Sequence, residues 1–129
     1  MWAVNVKAPL SMIRIALPHL RRSGSGRIVN VASIAGKAVY NNNVGYAMTK
    51  FALVGLNHAL RMATWDDGIR VTALCPGFVA TDMTAGLDRS SDDMVQPEDL
   101  AEMVATLIAL PDNAAVAELL VNCQLEPML

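Results

Sequence analysis

The chain has little cysteine and few aromatic residues. Its 129 residues hold two cysteines, Cys75 and Cys123, and two each of Phe, Tyr and Trp. The cysteines have neither metal-ligand spacing nor the density of a disulfide scaffold, so no metal site is expected and a reducing cytoplasm is the expected setting. Long hydrophobic runs are also missing. Although 53% of the residues are apolar, no stretch of about 18 lacks a charge, as a spanning helix requires. No membrane association is expected. Lys7 and Arg14 interrupt the apolar opening MWAVNVKAPLSMIRIALPHLRR, so a targeting segment is not the expected reading.

Acidic residues are absent from residues 1–65, which carry eight Lys or Arg, whereas residues 66–129 carry two Arg and all twelve acids. The basic residues are spread singly among apolar ones, without the clustered Lys/Arg and stacking aromatics that nucleic-acid backbones require, so no nucleic-acid partner is expected. The asymmetry reads instead as two complementary halves of one fold, or as a basic half that meets an acidic neighbour.

What the chain does have is periodicity, and its length suits one domain spanning residues 1–129. Val6, Leu10, Ile13, Leu17 and Leu20 recur at helical steps, predicting a helix from Ala3 to about Leu20 that closes at RRSGSG. RIVNVAS (27–33) has the length and β-branched content of a buried strand. Residues 34–43 are rich in turn formers. A second helix runs from Gly45 to Ala63, with Ala47, Phe51, Val54 and Leu56 among its apolar positions, and IRVTALCPG (69–77) is a second strand stopped by Pro-Gly. After a polar loop, PEDLAEMVATLIALP (97–111) is the clearest helix, with Pro97, Glu98 and Asp99 in its first turn. AVAELLV (115–121) is a third strand. The order helix-strand-helix-strand-helix-strand predicts an α/β fold with a parallel sheet, and ligands at the carboxyl ends of its strands, here Ser33 and Pro76-Gly77. The eight methionines read as core filling, and His58, with no acid in sequence reach, as a structural histidine. Gly24 and Gly26 precede a strand rather than follow one, so they are not a dinucleotide loop.

One spacing carries chemistry. In GYAMTK (45–50) Tyr46 and Lys50 are four apart, stacked on one helical face. A phenol with the ordinary pKa of about 10 is a poor base at neutral pH, but an ammonium nearby favours the phenolate. Tyr46 is therefore a candidate general acid/base. Ser33, 13 residues earlier at a strand end, is a candidate hydrogen-bond donor to a substrate oxygen.

With Asn5 on the preceding helix, Ser33, Tyr46 and Lys50 form a pattern that resembles the short-chain dehydrogenase/reductase family, and CPGFVAT (75–81) resembles its next motif. The resemblance runs from VNVKAP through RIVNVAS, YAMTK and IRVTALCPGFVATDM to the PEDLAEMV helix, in the manner of the 3-oxoacyl-acyl-carrier-protein reductases. It implies a Rossmann-type doubly wound sheet, NAD or NADP as cofactor, and hydride transfer to or from a carbonyl or alcohol carbon of a small molecule. It further implies that Tyr46 exchanges the proton, Ser33 polarises the carbonyl, and Lys50 binds the nicotinamide ribose. Asn5 positions a water that relays protons to Lys50. Pro9 has no N–H for the carbonyl of its i−4 partner, Asn5, which leaves that carbonyl available to the water, or else simply kinks the helix. Pro76, Gly77, Val79 and Thr81 border the nicotinamide in the same pattern, Val79 through its backbone and Thr81 through its hydroxyl. A homodimer through the two central helices is the expected assembly.

No strand and glycine-rich turn for the pyrophosphate precede Asn5, so the fold expected is an incomplete Rossmann sheet with an open edge beside RIVNVAS. Two readings follow: the catalytic half of an NAD(P)-dependent oxidoreductase, or a non-catalytic remnant that oligomerises or binds a partner. The ending ELLVNCQLEPML departs from the family's glycine-rich terminus, so tetramer contacts through the last strand are not carried over. The polar segment 82–96 specifies no substrate shape.

Overall fold

The computed structural model describes residues 1–40, 42–124 and 126. Leu125 and residues 127–129, within the atypical ending, lie outside the described residues. Six main elements occur in the expected order: helix α1 (Ala8–Ser23), strand β1 (Gly26–Val31), helix α2 (Val44–Thr64), strand β2 (Ile69–Pro76), helix α3 (Pro97–Ala109) and strand β3 (Glu118–Val121). The strands form a parallel sheet in the order β1-β2-β3, with Gly26 opposite Ile69 and Ala73 opposite Glu118.

Central position explains the composition of β2. It is flanked on both sides and covered on both faces, and from Val71 to Pro76 every residue is buried, the pattern of a parallel strand that water does not reach. On one face Ile13, Leu17 and Leu20 of α1 and Leu60 of α2 pack on Ile69 and Val71, while Leu53 and Val54 of α2 pack on Ala32, Ala73 and Cys75. Leu120 of β3 joins this side. Side chains alternate along a strand, so Leu119 and Val121 face the opposite way. There they meet Met103 and Leu107 of α3 around an open cavity of about 750 Å³. Helices therefore lie on both faces of the sheet, as a doubly wound fold requires.

Several expectations are corrected in detail. The first helix opens with a π-helical turn, Ala3–Lys7, in which Ala8 N–H donates to the Ala3 carbonyl five residues back. α1 then runs to Ser23, where Gly24, at φ 68°, closes it in the left-handed conformation that glycine adopts without strain. β1 stops at Val31, so Ser33 lies past the strand end, and β3 begins only at Glu118. Phe51 is 44% exposed, because the face of α2 turned to the sheet is that of Ala47, Leu53, Val54, Asn57, Leu60 and Thr64. The methionines are not core filling as a group. Met94 is buried, whereas Met12, Met48, Met62 and Met83 are exposed, since their positions point away from the sheet or lie in a loop.

Candidate active site

α2 begins where Asn43 caps it, its side chain accepting a hydrogen bond from Tyr46 N–H at 3.2 Å. This fixes Tyr46 in the first turn and Lys50 one turn later. The Lys50 ammonium lies 5.6 Å from the Tyr46 ring centroid, within cation–π range. It also donates to the carbonyl of Val31 at 3.2 Å, at the end of the edge strand. Burial lowers the Lys50 pKa from the ordinary lysine value, while Cys75 acts in the opposite sense. Burial likewise pushes the Cys75 thiol up, which keeps it a neutral core group.

Ser33 is buried, with its Oγ accepting from Ala35 N–H at 3.1 Å and donating to the Pro76 carbonyl at 3.4 Å. The long second bond joins the ends of β1 and β2. The turn that follows, Ile34–Gly36, lies directly on α2: a Cβ at Gly36 would approach the Lys50 carbonyl oxygen to 2.7 Å. Absence of a side chain at Gly36 thus lets the Ser33 turn and the Lys50 turn of α2 meet.

Asn5 is tied to the same helix. Its side-chain amide donates to Thr49 Oγ1 at 3.0 Å, and Thr49 in turn donates to the Tyr46 carbonyl at 2.8 Å. Thr49 was not singled out in the sequence. Its signal was a polar residue next to Lys50 on a helix face that proves to be buried.

The segment Pro76–Thr81 leaves the end of β2 and is held from two sides. Gly77 N–H donates to the Val121 carbonyl at 2.8 Å, while Ala80 N–H donates to Val95 O at 2.9 Å and Val95 N–H to Phe78 O at 3.0 Å. Thr81, exposed, donates its N–H to Thr84 Oγ1 at 3.1 Å, and the Thr84 hydroxyl reaches Val79 O at 2.6 Å. The structure therefore gathers Asn5, Tyr46 and Lys50 on one side and Ser33 and Pro76 on the other, joined at Gly36 and Val31. Thr81 makes its own contacts, to Thr84 and Val79, and none to these residues among the described hydrogen bonds.

Outside this group, His58 has an acid partner after all. Its Nε2 lies 2.6 Å from Glu118 Oε1, which Lys37 also reaches at 2.8 Å. Sixty positions separate His58 from Glu118, beyond any reading of local pattern. Among the described residues no group of three or more His, Cys, Asp or Glu could hold a metal ion, and no helix is long and apolar enough to cross a membrane.

A three-stranded parallel sheet with helices on both faces defines a Rossmann-type architecture. The family model for short chain dehydrogenase matches residues 1–92, and the chain belongs to the short-chain dehydrogenase family. It is 47% identical over 126 residues to agropine synthesis reductase of Rhizobium rhizogenes, covering 97% of this chain and 29% of that protein. An uncharacterized oxidoreductase of Staphylococcus aureus is 33% identical over 119 residues, or 92% of this chain and 52% of its own length. Among solved structures, a betaketoacyl-ACP reductase from Bacteroides thetaiotaomicron superposes with a TM-score of 0.78 at 34% identity, covering 94% of this chain and 50% of that one. A 4-hydroxyisoleucine dehydrogenase complexed with NADH gives 0.79 at 26%, covering 93% and 55%. The chain thus spans about half the length of three of these proteins, and less of the first.

Proposed function

We propose that these 129 residues are the C-terminal part of one Rossmann domain, and that they carry the proton-transfer group and the nicotinamide end of an NAD- or NADP-dependent oxidoreductase. The substrate is a small molecule with a carbonyl or alcohol carbon. The observation that carries this reading is Lys50: a partly buried ammonium beside the Tyr46 ring whose named hydrogen bond, to Val31 O, uses one of three N–H donors. Among the described residues no second acceptor takes the other two donors, which fits a pair of ribose hydroxyls. A solved structure of similar fold is described with NADH bound, which supports the choice of cofactor class.

When bound, the nicotinamide supplies or accepts the hydride. The chain's own residues do the rest. Tyr46 exchanges a proton with the substrate oxygen, and the ammonium one turn along stabilises negative charge on the phenol oxygen. Ser33 turns its hydroxyl from the long bond to Pro76 toward that oxygen. Asn5 braces the Tyr46 turn through Thr49, and its backbone carbonyl, which Pro9 cannot satisfy, holds a water that relays protons to Lys50. Pro76, Gly77, Val79 and Thr81 line the nicotinamide, Val79 by its backbone and Thr81 by its hydroxyl. Both cysteines are buried, in keeping with a cytoplasmic setting. Exposed Met12 and Ile15 on α1 and Val44, Met48 and Phe51 on α2 support a homodimer through these helices.

One observation favours the non-catalytic reading. β1 is an edge strand whose Val31 is 55% exposed, and such an edge takes up another strand, which suits a module that pairs with a partner. Titration of the chain with NADH and NADPH, followed by energy transfer from Trp2 and Trp65, separates the two. Saturable binding that weakens in Lys50→Ala supports the oxidoreductase reading. A folded chain that binds neither nucleotide overturns it for these 129 residues.

A further inference from the structure

Glu126 is a buried carboxylate, 6% exposed, and none of the ion pairs among the described residues includes it. A buried charge without a cation is costly unless hydrogen bonds replace its water. Here they do: Oε2 accepts from Phe78 N–H at 3.0 Å and from Cys123 N–H at 3.4 Å, with Cys123 Sγ at 3.3 Å. The approach is close enough that a Cβ at Gly77 would fall on Glu126 Oε2. The backbone from Pro76 to Val79 is then held on three successive peptide units, by Val121 at Gly77 N–H, by Glu126 at Phe78 N–H and by Val95 at the Phe78 carbonyl.

We infer that Glu126 is a positioning residue: its carboxylate clamps the Gly77–Phe78 peptide and so fixes the backbone of Val79, the next residue along. The value of that for nucleotide binding rests on the function proposed above, in which Val79 faces the nicotinamide. The geometry also gives Gly77 a reason to lack a side chain, set by the chain's own carboxylate.

The test uses the full chain as wild type, Glu126→Ala and Glu126→Gln, with amide hydrogen exchange read residue by residue beside NADH and NADPH titrations. Glu126→Ala is expected to lose protection at Phe78 by about tenfold or more, while Val71 and Ala73 in the same sheet keep theirs and report an intact fold. Nucleotide affinity is expected to fall about tenfold in the same variant. Glu126→Gln, whose amide oxygen still accepts both N–H bonds, is expected to restore both. Unchanged Phe78 protection in Glu126→Ala overturns the clamp, and so does failure of Glu126→Gln to restore it. Lost protection with unchanged affinity overturns the positioning role. If wild type binds neither nucleotide, the functional reading fails for this chain and Phe78 exchange alone decides the clamp.

Discussion

The Asn5 side chain donates to Thr49 Oγ1, and the same hydroxyl donates to the carbonyl of Tyr46, so a residue on the first helix braces the turn that presents the tyrosine. Thr49 is 3% exposed, and removing its hydroxyl strands partners on both sides. Thr49→Val, which keeps the shape, is expected to cost about 1–3 kcal/mol in chemical denaturation. In a cycle with Asn5→Ala the two losses should be non-additive by at least about 0.5 kcal/mol. Additive losses would show that the two residues do not act as a pair.

Two glycines should respond with opposite signs. Gly36→Ala drives a Cβ toward the Lys50 carbonyl, a backbone atom that cannot swing aside, and is expected to destabilise by about 1–3 kcal/mol. Gly55 sits within α2 with nothing near the position of its Cβ, so Gly55→Ala is expected to stabilise by about 0.5–1 kcal/mol. Denaturation midpoints check both. Equal shifts would contradict the tight seat of the Ser33 turn on α2.

Lys50 should be costly to the fold and necessary to binding. Its folded-state pKa lies below the unfolded one because burial disfavours the charge. That penalty is present in full below the folded value, and it is relieved as pH rises through that value toward about 10.4. Lys50→Met is expected to melt at the wild-type temperature or above at neutral pH, with any advantage shrinking as pH approaches 10, while nucleotide binding is lost. A clear fall in melting temperature would mean that the bond to Val31 outweighs desolvation.

Acid should release the brace on β3. The Lys37 hydrogen bond, and then that of His58, hold the Glu118 carboxyl below the usual carboxylate range. A depressed folded-state value stabilises fully above the unfolded pKa of about 4.3, and the contribution disappears as pH falls through the folded value. Glu118→Gln should therefore melt below wild type at pH 7, and the gap should close on acidification. A gap independent of pH would assign the loss to packing instead of charge.

The order of elements was legible because helical and strand periods are local. A stripe such as Leu10, Ile13, Leu17 and Leu20 declares a helix wherever it ends up, and the uninterrupted run IRVTALC declares a buried strand. Tyr46 and Lys50 were legible for the same reason, since a spacing of four is contact on any helix. Less was legible where the partner is remote. Nothing near His58 points to Glu118, and nothing near Gly77 points to Glu126, because neither acid shares an element with its partner. The methionine side chain declares a preference for burial without saying against what, and Met12, Met48, Met62 and Met83 are exposed all the same.

The sequence by itself therefore determined the elements, their order and the residues that form the Tyr–Lys pair, all consequences of backbone geometry over one or two turns. Tertiary structure decided which faces those elements bury, that Thr49 links Asn5 to the tyrosine turn, that Gly36 seats the Ser33 turn against the Lys50 turn, and that the Glu126 side chain accepts from Phe78 N–H. These depend on where chain segments tens of residues apart come to rest, and packing sets that, because no local period records it.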